Sequence, residues 1–275
     1  MSKKQQDRGT RHARRRRGAD ASPPEVRRPV GSYGDKSQRV VYVATEGSKT
    51  EPAYLDLLNK TFGDGDEKVG IPGFFLYYCH PGHSNGLRPS QVVHQVISKA
   101  GGPGTEMWAL FDRDAADNRD ADIYEAFRVA RAKGVQTALS HPSFELWLLL
   151  HFKPWHSQEG GIDDKVKEQL RRHPDAKGFQ DYDKASGERG KGLDGPRGQS
   201  LMKQERLATA VRNARKLVDS CTHGDCSAKR VDQVSREYPR QSGHADSCDP
   251  LKRDPSTDVW RLLTALGIGN DTKQY

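Results

Sequence analysis

Four times between Arg39 and Phe152, a short apolar run gives way to a polar or glycine-containing turn and then to apolar residues at helical spacing. Arg39-Val40-Val41-Tyr42-Val43-Ala44-Thr45 is β-branched and nearly all apolar, the pattern of a strand buried on both faces. It runs through Glu46-Gly47-Ser48-Lys49 to Thr50, a good N-cap, and Pro52, which suits a first helical turn. Tyr54, Leu55, Leu58 and Phe62 then recur at helical intervals. Phe74 to Cys79, Met107 to Phe111 and Val135 to Leu139 repeat the strand pattern. Helices are expected from Ser90, over about Ile123 to Ala132, and over Phe144 to Phe152. With right-handed crossovers, this alternation predicts an α/β fold: an open, mainly parallel sheet flanked by helices on both faces.

Ligands of such sheets bind beyond the carboxyl ends of the strands. Those ends carry Glu46, His80, Asp112-Arg113-Asp114 and His141. Glu46, Asp112 and Asp114 form the strongest constellation, because strand ends in one parallel sheet can be neighbours. Gathered carboxylates repel unless a cation neutralises them, and oxygen-only ligands favour Mg²⁺ or Mn²⁺ over zinc. A site of that kind polarises a phosphoryl oxygen and activates water. The plainer alternative is that Asp112 and Asp114 cap a turn and Glu46 lies on the surface. His141 and His151 read as structural histidines rather than ligands.

The segment Val41-Tyr42-Val43-Ala44-Thr45-Glu46-Gly47-Ser48-Lys49-Thr50-Glu51-Pro52, with Tyr54, resembles the opening motif of the RloB-like family, which includes a component of AbiL-type abortive infection systems. Ala109 to Asp114 resembles its D-R-D motif, Ser140 to Phe152 its third block, and Pro255-Ser256-Thr257-Asp258-Val259 through Leu263 its C-terminal block. The resemblance implies a Toprim-like core, assigned to residues 39–155; the residue pattern of 156–275 reads as a mostly helical C-terminal region with polar loops. It also implies a divalent-metal-dependent nuclease of antiphage defence, with nucleic acid as substrate and a separately encoded ATPase as partner. Glu46 would be a metal ligand or general base, and Asp112 and Asp114 would hold Mg²⁺ or Mn²⁺. Glu145, a carboxylate inside an apolar block, is either catalytic or structurally paired. Lys49 would stabilise phosphoryl charge, or else pair with Glu46 or Glu51. The rival readings are a nucleotide-processing phosphotransferase and a non-catalytic module that binds the ATPase.

Charge is concentrated at the N-terminus. Residues 1–39 hold 12 Lys/Arg against 4 Asp/Glu and only seven apolar residues, so 1–38 are expected to be a disordered basic tail. That tail is either a solubilising extension or a phosphate-contacting arm. No apolar run reaches membrane-span length, no apolar stretch follows the basic start, and four cysteines do not make a disulfide scaffold; a cytoplasmic protein is expected. Gly187 to Gly192 lacks Walker spacing, so ATP binding by this chain is not expected. Further helices are expected over Asp163 to His173, Leu201 to Val218 and Ser256 to Leu266, with a mobile loop over Gly178 to Gly198. Cys221, Cys226, His244 and Cys248, with His223 nearby, have enough ligands for zinc. Their C-x4-C spacing is unusual and no second C-x2-C exists, so zinc is not expected.

Overall fold

The computed structural model describes residues 39–269 apart from 69, 81–85, 101–104, 116–117, 185–187 and 233–241. The expected disordered tail, 1–38, and the start of the loop after the second strand lie outside the described residues. In chain order the elements are β1 (Arg39–Thr45), α1 (Thr50–Phe62), β2 (Phe74–Tyr78), α2 (Pro89–Lys99), β3 (Glu106–Asp112), α3 (Asp120–Lys133), β4 (Gln136–His141) and α4 (Phe144–Leu150). There follow α5 (Asp164–Arg172), α6 (Glu188–Lys191), α7 (Pro196–Leu201), α8 (Gln204–Asp219), α9 (Lys229–Asp232), β5 (Ser256–Thr257) and α10 (Val259–Ala265).

The strands form an open sheet of order β2-β1-β3-β4-β5, parallel except for β5. Alternate residues of each strand feed two cores, one on each face. Val41, Val43, Trp108 and Leu110 join a large cluster with α1, α4, α5, α8 and α10. Ala44, Ala109, Phe111 and Leu139 join a smaller one with α2 and α3. The large cluster draws on residues before and after 155, and both lie in one compact unit, Gln38–Tyr275. All seven residues of α4 are buried, which accounts for the length of its apolar block. Gly134 stops α3 in the left-handed region (φ 72°), where a side chain would be strained.

Three segments differ from the sequence reading. Ser256 and Thr257 do not begin the last helix; they pair antiparallel with His141 and Ser140, and Asp258 N–H extends the ladder to Leu139 O at 2.9 Å. The open edge of β4 offers these residues backbone partners, so helix starts only at Val259. The Leu201 to Val218 pattern divides into α7 and α8, which begins at Gln204. Gly178 to Gly198 is in its described part packed around Arg197, 7% exposed, which donates to the carbonyls of Gly178, Gly190 and Gly192 and to Asp181. A guanidinium's several donors satisfy a glycine-rich backbone that has no ladder of its own.

Candidate active site

Strand order reverses between β1 and β3: the chain steps from β1 to β2 on one side, then crosses back to β3 on the other. A crevice at the carboxyl edge is expected at that switch point. Glu46 and Asp112 stand on its two sides. Glu46 N–H bonds Leu110 O at 3.0 Å, so Glu46 continues the β1 register one residue past the strand. Its Oε2 accepts the backbone N–H of Asp112 at 3.0 Å, and its Oε1 pairs with Arg119. Asp112 Oδ2 accepts the N–H of Phe144, the first residue of α4, at 3.0 Å.

Two further carboxylates close the site. Glu51, in the first turn of α1, is 7% exposed and reaches back to accept Gly47 N–H at 3.0 Å. A Cβ on Gly47 would run into that carboxylate, so a side chain there would displace Glu51 from the turn. Glu145, in the first turn of α4, is 5% exposed and accepts from Tyr182 Oη at 2.9 Å. Tyr182 Oη lies 2.9 Å from Thr50 Oγ1, which donates to Lys191 O at 3.0 Å. Lys191 Nζ is 3.8 Å from Glu145 and 3.6 Å from Asp183. Lys167 bridges Asp163 and Asp183 at 2.8 Å each.

Glu46, Asp112 and Glu51 hold protons more tightly than free carboxylic acids. Burial raises Glu46 from 4.5 to about 7; the Asp112 N–H and Arg119 oppose the rise, and the charges of Glu51 and Asp114 add to it. Burial, then Glu51, Glu46 and Glu145, push Asp112 well above its ordinary value. Glu51 is raised by burial and by Glu145. Glu46, Asp112, Glu51 and Glu145 therefore act on one another's charge at the carboxyl edge of the sheet, with Arg119 and Lys191 beside them. That donor set, all hard oxygen, fits Mg²⁺ or Mn²⁺.

Of the residues singled out in the sequence, the Glu46 carboxylate meets the Asp112 backbone, and the Asp112 carboxylate feels the charge of both Glu46 and Glu145. Asp114 is exposed at the margin, where its charge reaches Glu46 and Asp163. Lys49 is half-buried at the N-cap of α1, and among the described residues no ion pair joins it to Glu46 or Glu51. Arg119 and Lys191 are the cations that approach the acids. His141 is buried with Nε2 3.2 Å from Arg113 Nη1; burial and that guanidinium lower it to about 3. His151 bridges Trp147 O and Tyr54 Oη, and burial lowers it to about 4. Both are neutral packing groups here. Glu51, Arg119, Tyr182 and Lys191 escaped the sequence reading. Glu51 lies in the quoted opening motif, but Tyr182 and Lys191 fall in a stretch without periodicity.

A model of the RloB-like protein family matches residues 41–266. No curated protein matches the chain, and no solved structure does.

Proposed function

The chain belongs to the RloB-like protein family, and from that premise we propose that it is a divalent-metal-dependent nuclease with a Toprim-like core, acting in the cytoplasm in antiphage defence under the control of a separately encoded ATPase. The observation that carries this reading is the meeting of Glu46 and Asp112 at the β1/β3 switch point, with Glu51 and Glu145 buried beside them. Asp112, Asp114 and Glu46 would hold Mg²⁺ or Mn²⁺. The ion, when bound, supplies polarisation of a phosphoryl oxygen and charge stabilisation at the leaving oxygen.

The chain's own groups have distinct tasks. Glu46 would serve either as a metal ligand or, unligated, as the carboxylate that takes a proton from the attacking water, its proton affinity raised toward neutral pH by burial. The Phe144 N–H fixes the orientation of Asp112, and Tyr182 Oη fixes that of Glu145. Arg119 and Lys191 are the cations within reach of a phosphate seated over the acids. No helix among the described residues is long and apolar enough to cross a membrane, which agrees with a nucleic-acid substrate reached from solution.

A second reading is a non-catalytic module that docks on the ATPase. It is favoured by the Arg119–Glu46 pair, which occupies Glu46 with a protein cation. One experiment separates the two. Mn²⁺ binding and cleavage of DNA, RNA and tRNA are measured with and without the ATPase, for the native chain and Asp112→Asn. A nuclease binds Mn²⁺ and cleaves at least one substrate in an Asp112-dependent way. An adaptor binds the ATPase equally well in both forms and neither holds Mn²⁺ nor cleaves.

A further inference from the structure

Far from the acidic centre in sequence, the loop after α8 and the loop before β5 bring Cys221, Cys226, His244 and Cys248 together. One ligand atom from each lies within 4.8 Å of all the others. Cys221 Sγ is 3.7 Å from Cys248 Sγ, and Cys248 Sγ is 3.8 Å from His244 Nδ1. A tetrahedral zinc ion with Zn–S near 2.3 Å and Zn–N near 2.0 Å requires edges of about 3.8 Å between sulfurs and about 3.6 Å from sulfur to nitrogen. A disulfide, at about 2.05 Å, is far shorter than the Cys221–Cys248 separation.

The surrounding chain is built to hold this arrangement. Ala245 N–H points at Cys226 Sγ at 3.3 Å, and Ser227 N–H bonds Gly243 O at 2.8 Å, so the two ligand loops are tied directly. Gly224, at φ +123°, lies against the second loop, where a Cβ would come 3.1 Å from Ala245 Cβ and Ser247 Oγ. Arg253 gives independent support. It is 8% exposed and donates from Nη2 to Cys248 O at 2.9 Å, while its buried Nε and Nη1 have no hydrogen-bond partner. The carboxylates of Asp249 and Asp258 already lie within electrostatic reach of this guanidinium, and it acts on the Cys248 thiol as well, where it favours a thiolate. Zinc with three thiolates and a neutral imidazole carries one net negative charge and presents sulfur acceptors.

We infer that Cys221, Cys226, His244 and Cys248 hold a structural Zn²⁺ ion that fastens the end of α8 to the loop leading into β5. Four protein ligands leave no open position for a water or substrate, which marks a structural rather than a catalytic site. A zinc ion here departs from the expectation from spacing: the unusual C-x4-C separation is accommodated because the turn carrying Cys226 folds back onto Ala245. His223, exposed and 3.8 Å from Cys221 Sγ, is the rival nitrogen ligand; the buried His244 is the better placed.

The test uses the full chain purified under reducing conditions. Elemental analysis should find about one tightly held zinc per chain, released as a mercurial reagent titrates the thiols. The cobalt-exchanged protein should show thiolate-to-metal charge transfer and tetrahedral d–d bands. Cys248→Ser should lose the ion, while Cys79→Ala and Asp112→Asn should keep it. If the Cys248 variant does not fold, X-ray absorption on the native protein decides alone, with a shell of three sulfurs and one nitrogen expected. A zinc-free native protein, a Cys221–Cys248 disulfide in peptide maps, or zinc held by oxygen and lost in Asp112→Asn would each overturn the assignment. So would a His223→Ala variant that loses the ion while His244→Ala retains it.

Discussion

Raising the pH from 4.5 to 8 in metal-free buffer should destabilise the native chain relative to Glu46→Gln. Glu46 is raised from 4.5 to about 7 in the folded protein, mainly by burial. Between those values the folded state holds a proton that the unfolded state has released. Stability therefore falls as pH rises, and the loss is complete above about pH 7. At 1.36 kcal/mol per pH unit, a rise of this size costs about 3 kcal/mol, with the Arg119 pair already included in the balance. For a unit of this length that is roughly 10 °C in Tm. His141, lowered to about 3, and His151, lowered to about 4, act with the opposite sign, losing stability as pH falls below 6.5. The histidines contribute equally to native protein and variant, so the difference curve reports Glu46 together with the carboxylates it repels, Asp112 above all. Urea unfolding followed by tryptophan fluorescence measures that difference at each pH. A saturating divalent ion should flatten the curve, because it binds the ionised form and stabilises the folded state by linkage. A difference curve that is flat without metal, or that rises with pH, would show that Glu46 is not held in a strained buried cluster. A slope untouched by Mg²⁺ and Mn²⁺ would remove the metal from the explanation.

Asp112→Asn keeps an acceptor for Phe144 N–H but removes a charged ligand, so Mn²⁺ affinity should fall by more than about 100-fold, beyond the loss expected from an outer-shell partner; calorimetric titration checks this. In metal-free buffer the same variant should unfold no earlier than the native chain, because a charge in a repelling cluster is removed. Tyr182→Phe should cost about 1–3 kcal/mol by leaving the buried Glu145 without its donor, measured by urea unfolding. Deleting residues 1–38 should lower nucleic-acid affinity at low salt more than at high salt, because the segment carries dense positive charge; binding titrations across a salt series measure the slope.

The sheet and half of the acidic site are legible because their signals are local. A buried parallel strand announces itself within seven residues, as Arg39–Thr45 and Glu106–Asp112 do, and the residue that follows it must sit at the carboxyl edge. Strand order then makes neighbours of Glu46 and Asp112. Tyr182 and Lys191 obey no such period. Each gains its role from a contact more than a hundred residues away in sequence with Thr50 of α1. Glycine and charge in their stretch mimic a mobile loop, and only the position of Arg197 shows how the backbone is satisfied. Ser256–Thr257 is mistaken for helix for a related reason: two residues carry no strand period, and their conformation is imposed by an open edge elsewhere. The approach of Cys221 and Cys226 to His244 and Cys248 is illegible for another reason: it depends on how two polar, aperiodic loops fold back on each other, which spacing alone does not encode.

The last strand of the sheet also sets an order in time. β4 ends at His141, but its outer partner, Ser256–Thr257, follows more than a hundred residues later, and Trp260 and Leu263 of α10 complete the large core only after that. During synthesis the acidic residues from Glu46 to Glu145 leave the ribosome well before the segment that seals their sheet. A chain halted short of Thr257 would expose the β4 edge and lack part of its core, a species suited to aggregation or proteolysis rather than activity. The proposed cleaving centre would thus be assembled only in a chain translated past Leu263, which makes synthesis of that last core segment a precondition for cleavage.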